Sequence, residues 1–462
     1  MMPLKPLGQE TQLREVLETI PDHARRLGLN EFEAFAYSKS SRYLMIDTNR
    51  INSATVVEST GLSIRVVRDA RAGASFCSSF RSKDIERCMR SAKALTASNQ
   101  PDLDWPGFPC SKGKYPEVKG LFDSGLISLE LDGLKDMAET MIEGARSVAE
   151  PISVTLGGVE CSIQSTGVLN SSGIEAHRRE TALQAFCVSL WGSGSSVTAE
   201  SAQGSMSRST NMDFEKIGRN SAEIALKSSV IAGSHTGECD VVFSPAALGD
   251  SDSGLLNIMM QKSLSGQSVI RKNSFLSELL GEQIAPKELT IYDNPVLSGA
   301  GGSKQFDDEG MPTKKKTLIK EGVVNGFVWD NYYGAKAHRS STGNAVRNLL
   351  TGAVSSSPLN LQIRPGSGML EDLVAEVDDG YLVWSGQGVH TSNLETGDFS
   401  FVANPGLKIR KGQIVGGVRG VMISGNLLEL IKGISRIGAD ITDYGNNLMP
   451  SIRFSNVKVT TG

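Results

Sequence analysis

Three adjacent acids, Asp307, Asp308 and Glu309, open the stretch of this chain with the most material for chemistry. Adjacent carboxylates can hold a cation or a peptide amine. Lys314-Lys315-Lys316 follows them, then a hairpin-like run, the pair Tyr332-Tyr333 and the loop Ser341-Thr342-Gly343-Asn344. No other segment sets as many polar groups between clear turn signals as Phe306–Asn344. Loops on a rigid frame are where binding tends to reside, so the stretch is either a catalytic centre or part of a groove. The ordinary fate of an acidic run is a solvated turn, and the lysines it balances read as a solvated strand edge.

Other arrangements are weaker. The five histidines, His23, His177, His235, His338 and His390, include no pair within five residues, whereas a hydrolytic zinc site commonly has two ligands on one helical face. His235 and Cys239 are four apart, but GSHTGECD carries two glycines and reads as a junction loop. Gly194-Ser195-Ser196-Val197-Thr198 lacks the second glycine of a nucleophile elbow. There is no phosphate-binding G-x-x-x-x-G-K-[ST], and Gly299–Gly302 lacks the strand and helix such a cradle needs. Asp250 and Asp252 form a second acidic pair, ahead of an apolar helix. Read alone, the residues give a polar groove candidate and no complete catalytic set.

The elements that must position these groups come from a chain of 462 residues, long enough for two or three domains. A net charge of −4 argues against nucleic acid and anionic lipid as partners. No apolar run is long enough to span a membrane. The N-terminal segment has neither the apolar core nor the cleavage site of a signal peptide. Six scattered cysteines without a C-x-x-C pair suit reduced thiols in the cytoplasm.

Leu13, Val16, Leu17, Ile20 and Ala24 are spaced as one face of an opening helix, which Pro21 is expected to kink or divide. Short alternating runs follow between Glu33 and Cys77, then a helix over Lys83–Ala97. Ser98–Gly120 holds four prolines and reads as a linker or surface loop. A helix over Leu129–Ala149, strands between Ser153 and Leu190, an exposed Gly/Ser-rich loop over Trp191–Arg208 and a helix over Asp213–Ala232 come next. After Gly233 the chain is mostly strands and glycine turns, with an apolar helix from Leu255 and a last helix at Asn426–Ile434. Ile319–Val328 echoes Ile409–Val418, each a strand, a tight turn and a strand. The fold class is α+β: an N-terminal helix/β-meander domain (1–98), a linker and middle α+β region (99–235), and a β-rich C-terminal domain with few helices (236–462).

Several short motifs in fixed order resemble the TldD/PmbA (TldE) family, once called modulators of DNA gyrase and now regarded as metallopeptidases. They include Arg71-Ala72-Gly73-Ala74, Asn170-Ser171-Ser172-Gly173, Leu264-Ser265-Gly266, Phe306-Asp307-Asp308-Glu309-Gly310, Ser341-Thr342-Gly343-Asn344, Thr396-Gly397-Asp398-Phe399-Ser400 and Ser424-Gly425-Asn426-Leu427-Leu428. In the family's catalytic branch, TldD, a helix after a strand ending in Pro carries HExxxH, and a cysteine near the C-terminus adds a zinc ligand. The corresponding segment here, Ser244–Met260, has neither histidine nor glutamate, and Gly445–Ser451 has no cysteine. Without ligands there is no polarised water for hydrolysis. This departure resembles the PmbA/TldE branch, the non-catalytic half of a TldD–TldE heterodimer.

The resemblance therefore implies a cytoplasmic TldE-like subunit of a metallopeptidase complex acting on unfolded or small peptides. No metal or cofactor is expected in this chain, and zinc is expected in a TldD-like partner. An extended peptide would add a strand to an exposed sheet edge. Asp308, Glu309, Tyr332, Thr342, Asn344 and His390 are the candidate groove residues. The alternative is a stand-alone homo-oligomeric peptide- or protein-binding protein of the former gyrase-modulator type.

Overall fold

The computed structural model describes residues 6–111, 113–194 and 196–462. Its first half is organised by unusually long strands. After α1 (Pro6–Leu27) come β1 (Glu31–Asp47), β2 (Arg50–Arg68), β3 (Arg71–Cys77) and α2 (Ser82–Ser98). Beyond an irregular segment lie α3 (Ser124–Ser128), α4 (Leu131–Arg146), β4 (Ile152–Asn170), β5 (Glu175–Ser193), β6 (Ser196–Val197), β7 (Ser201–Ser207) and α5 (Phe214–Lys227). These strands form a single sheet of order β3-β2-β1-β4-β5-β6, with β7 also on β5. β1 pairs with β4 from Glu33↔Asn170 to Asp47↔Leu156. The segments 1–98 and 99–235 thus share one sheet, and the chain between them is a connection along its surface.

Each long strand alternates between two environments, as a pleated strand must. One face of β1 carries Phe32, Ala34 and Ala36, packed with Leu13, Leu17 and Ile20 of α1 and Ile85 and Met89 of α2. Further along the same face, Leu44 and Ile46 pack with Leu134 and Met141 of α4 and Ile217 of α5. α1 runs through Pro21 unbroken, with Leu17 and Ile20 on one side of the proline and Ala24 on the other all buried. α4 and α5 meet at glycines: a Cβ on Gly218 would lie 1.9 Å from the Met141 carbonyl oxygen, and one on Gly144 2.4 Å from that of Glu215. The opposite face of the sheet, with Glu33, Phe35, Tyr43 and Met45, turns toward the C-terminal half.

That half begins with β8 (Gly237–Phe243), α6 (Pro245–Gly249), α7 (Leu255–Ser263) and α8 (Gly266–Ile270), and continues with β9 (Ile291–Asp293), β10 (Lys316–Lys320), β11 (Val323–Val324), α9 (Asn331–Lys336), β12 (Ala345–Arg347), β13 (Val354–Ser356) and β14 (Leu361–Ile363). β8 lies inside a nine-stranded sheet, parallel to Asp379–Val383 and antiparallel to the closing strand Ile452–Thr461. β9, β10, β11 and β14 belong to a six-stranded sheet that also takes Asn447–Met449 beside β14. One large core of aliphatic and aromatic side chains, with Phe243, Tyr381 and Phe454 among its fully buried members, spans both sheets. The architecture is α+β, with the β-rich part C-terminal.

Two regions differ from the sequence expectation. The Gly/Ser-rich run expected as an exposed loop contains β7, which pairs with β5 from Leu183↔Ser207 to Ser189↔Ser201. It lacks an apolar alternation because small and polar residues suffice on a strand whose residues are mostly only half-buried. Ser195 of the poor elbow match lies outside the described residues. The two echoed segments are both hairpins with the same turn: Glu321-Gly322 at φ 48° and 79°, and Lys411-Gly412 at φ 49° and 73°. They belong to different sheets.

The glycine crossing yields a direct test. Gly218→Val drives a branched side chain into the α4 backbone and is expected to cost about 3 kcal/mol of stability. Thermal melting of the variant should show the loss, and an unchanged midpoint would contradict the close packing of α4 on α5.

Candidate functional site

The acidic run is not a solvated turn. Asp307, Asp308 and Glu309 are all buried, at the place where the long sheet meets the C-terminal half. Phe306 packs against Phe35, Val168 and Ala176 of the sheet. Around that apolar contact, charges from three strands reach across. Arg178 on β5 donates to the Phe306 carbonyl at 3.0 Å and to Asp308 Oδ1 at 3.1 Å. Arg65 on β2 donates to Glu33 on β1 at 2.9 Å and to Glu309 at 3.2 Å. Arg347 on β12 reaches back to the same Glu33 carboxylate and donates to the Asp308 carbonyl. Asp307 is fixed differently: it accepts from the backbone N–H groups of Glu309, Met311 and Ala345 at 2.8–2.9 Å.

Burial sets the proton affinities here. It pushes Glu309 up to about 7 despite Arg65, with Glu33 and Asp307 adding to the rise. It pushes Asp307 up to about 6 against its three backbone donors. For Asp308 burial also acts upward, but Lys304 and Arg178 outweigh it and hold the carboxyl below its usual range.

The other expected groove residues fall in three places. Asn344 is buried and donates to Asp293 at 2.7 Å, while Lys316 donates to Asn344 and pairs with Asp293 at 3.0 Å. Lys316 is thus drawn inward from the basic run, and only Lys314 and Lys315 are exposed. The Thr342 hydroxyl accepts from the Trp329 N–H at 2.7 Å, and Thr342 also borders a separate cavity of about 620 Å³. Tyr332 stacks on Trp105 of the segment that connects α2 to α3, their ring centres 6.5 Å apart. His390 is exposed on a 3₁₀ turn, Val389–Thr391. The structure joins Asp308 with Glu309 and Thr342 with Asn344, but it does not gather the six into one site.

The largest interior space that opens on the sheet is elsewhere, at the other end of the same long strands. Two cross-strand rows form its floor: Met45, Gly158, Phe186 and Gly204, then Tyr43, Glu160, Gln184 and Met206. Its roof is built from Asp250 and Ser251, Gly301 and the strap 443–446. The cleft measures about 600 Å³. A second cavity of about 430 Å³ shares Tyr444 with it and adjoins it at Gln203. Burial raises the Tyr444 hydroxyl and pushes Asp443 up to about 6.

At the roof, the segment after β8 and Pro245 converges with the C-terminal tail. The groups that meet are carboxamides. Asn447 Nδ2 donates to Asn257 Oδ1 at 2.8 Å, and Gln261 Nε2 donates to Asn447 Oδ1 at 3.0 Å. Asn257 Nδ2 donates to the carbonyls of Asp250 and Ser251 at 3.1 Å, and Ser357 Oγ donates to Gln261 Oε1 at 2.8 Å. Zinc is held by thiolate, imidazole or carboxylate. These oxygens are neutral and already accept hydrogen bonds from one another, so the donor set does not fit zinc. No group of three or more His, Cys, Asp or Glu side chains is arranged to hold a metal among the described residues. The signal for the cluster was present in the sequence: Asn257 and Gln261 are four apart on an otherwise mostly apolar helix, LLNIMMQKS.

A long-stranded N-terminal sheet and a β-rich C-terminal half thus meet at a cleft that opens to solvent. Residues 236–461 match the PmbA/TldA metallopeptidase C-terminal domain, and residues 32–96 match PmbA/TldA metallopeptidase domain 1. The chain belongs to the PmbA/TldD family. It is 28% identical over 411 residues to an uncharacterized protein of Methanocaldococcus jannaschii, covering 88% of this chain and 91% of that one. It is 26% identical over 483 residues to the metalloprotease PmbA of Escherichia coli O157:H7, covering 99% and 98%. The crystal structure of TldE from Thermococcus kodakarensis superposes with a TM-score of 0.89 at 28% identity, over 97% of this chain and all of that one. A putative modulator of a DNA gyrase from Thermotoga maritima superposes at 0.85 with 23% identity, over 97% and 100%, and shows the fold alone.

Two measurements follow from this geometry. Glu309, at about 7 against an ordinary 4.5, binds its proton more tightly in the folded than in the unfolded state. Its contribution to stability therefore falls as pH rises through the window from about 4.5 to 7. The protein should melt at a lower temperature at pH 8 than at pH 5.5, and Glu309→Gln should flatten that slope. A slope unchanged in the variant would locate the titration elsewhere. The second concerns the amide cluster. Replacing Asn257 and Gln261 by His and Asn447 by Cys should create a site that binds about one zinc per chain, read by metal analysis after dialysis. Failure of the folded triple variant to hold zinc would show that the three positions do not converge as described.

Proposed function

We propose that this chain is the TldE/PmbA-like subunit of a metallopeptidase assembly in the cytoplasm, shaping the path of an unfolded or small peptide. Zinc and hydrolysis belong to a TldD-like partner. The observation that carries this reading is the carboxamide cluster of Asn257, Gln261 and Asn447 beside the cleft. A wall of the peptide path is present where the electrophile of a hydrolase would be needed, and neutral amides cannot generate a metal-bound nucleophile. The names of its relatives, metalloprotease PmbA and TldE, are consistent with it. All six cysteines are free thiols, and no helix among the described residues is long and apolar enough to cross a membrane.

An extended peptide suits a cleft whose floor is a sheet and whose flank is the edge strand β7. Ala202 directs its carbonyl away from β5, where it accepts from Trp384 Nε1 at 3.3 Å. Gly204 and Met206 share that phase of the strand, so their backbone groups border the cavity. The stand-alone oligomer has one observation in its favour. β2 has an uncovered edge from Asn52 to Glu58, with Val56 and Val57 exposed, and such edges invite pairing with another chain.

Co-expression with a homologue containing HExxxH is the decisive experiment. The two chains should copurify, the complex should contain zinc and cleave an unstructured peptide, and this chain alone should do neither. Stoichiometric zinc and peptide cleavage by this chain alone would overturn the assignment. The absence of any HExxxH homologue from the source genome would favour the stand-alone reading.

A further inference from the structure

The charge lining the two cavities is lopsided. Glu160, Asp250 and Asp443 border the larger one, and Glu223, Glu371 and Asp440 the smaller. Lys227 is the one cationic side chain among these linings. Two of the acids have cations behind them: Glu160 pairs with Lys39 at 2.9 Å, and Arg208 lies near Asp443. Asp250, Asp440, Glu223 and Glu371 have no ion pair among the described residues. Asp250 and Asp440 serve their own loops, accepting from Ser253 and Ser451. Glu223 is half-buried and Glu371 exposed. Low-dielectric walls lined by one sign of charge concentrate ligands of the other.

The rest of the surface is suited to an extended chain. Gly204 and Gly445 leave the backbone open along the cleft: a Cβ on Gly204 would meet nothing closer than 3.6 Å, and one on Gly445 nothing closer than 3.5 Å. Met45, Met206 and Phe186 give it adaptable apolar contact. Tyr444 stands between the two cavities. We propose that the joined cavities select an extended peptide segment carrying positive charge, supplied by lysine or arginine side chains or by a free amino terminus. This rests on the reading of the cleft as a peptide path and adds the class of peptide it takes.

The test uses the full chain without a partner and two labelled, unstructured twelve-residue peptides of equal apolar content. One carries four lysines and the other four glutamates. Fluorescence anisotropy at low salt should show the cationic peptide bound about tenfold more tightly, with the gap closing as salt is raised. The double variant Glu223→Gln/Glu371→Gln should reduce the ratio to about threefold or less, by weakening the cationic peptide and relieving the repulsion of the acidic one. Gly204→Trp, which fills the floor, should weaken both peptides without lowering the melting temperature. Equal affinity for the two peptides would overturn the charge selection and leave the peptide path standing. Unaltered cationic binding in a folded Gly204→Trp protein, or no binding of either peptide at millimolar concentration, would overturn the site itself. Neither result depends on copurification with a zinc-bearing partner, so the two proposals fail separately.

Discussion

Burying Glu33, Arg347, Asp308, Glu309 and Arg178 in one junction, with Arg65 half-buried beside them, is the constraint on which the arrangement of the two halves depends. An ion removed from water without a partner costs several kcal/mol, so Glu309 and Arg347, whose ionic partners Arg65 and Glu33 lie on the sheet, are tolerable only while the two halves are together. The apolar contact of Phe306 with Phe35 and Val168 could slide by an ångström at little cost. The ion pairs cannot, because their hydrogen bonds are directional. Glu33 Oε2 and Arg347 Nε are buried without a hydrogen-bond partner among the described residues, which leaves the junction little spare solvation if either half shifts. This network seats the sheet against the C-terminal half, and the cleft farther along the strands inherits its height from that seating.

The amide cluster shows a second use of polar groups. Asn257, Gln261, Asn447 and Ser357 bring an α7 face, the tail and the loop after β13 to one point. Each amide is both donor and acceptor, so the four satisfy one another without charge. Here the roof of the cleft closes on hydrogen bonds alone, and the chemistry of the wall is decoupled from its shape.

Much of the framework was legible in the sequence. The apolar spacing of α1 marked its buried face, and the glycine turns at 322 and 412 marked two hairpins. The length of β1 and β2 was not legible, because polar residues such as Ser38, Ser40 and Arg42 interrupt the alternation while being buried. β7 was hidden by its small residues. The fate of the acidic run could not be read locally: Glu309 finds Arg65 at 244 residues' separation and Arg347 finds Glu33 at 314. Composition makes such a run look solvated, and only the fold supplies its cations. The family frame was recognisable from short motifs, of which Phe306–Gly310 serves this junction, whereas the cleft is lined by residues from strands with no shared pattern.

The reach of the long strands has a mechanical consequence. Along β1, Glu33 stands in the ionic junction and Tyr43 in the floor of the cleft, ten residues away. At the rise of an extended chain that is a lever arm of about 33 Å, so a tilt of about 3° at the pivot displaces the far end by about 2 Å. Such a displacement is comparable to half the thickness of a peptide backbone. A small rotation at the anchored end, whether from a bound chain or from a change of protonation, is therefore amplified into a change of aperture at the other.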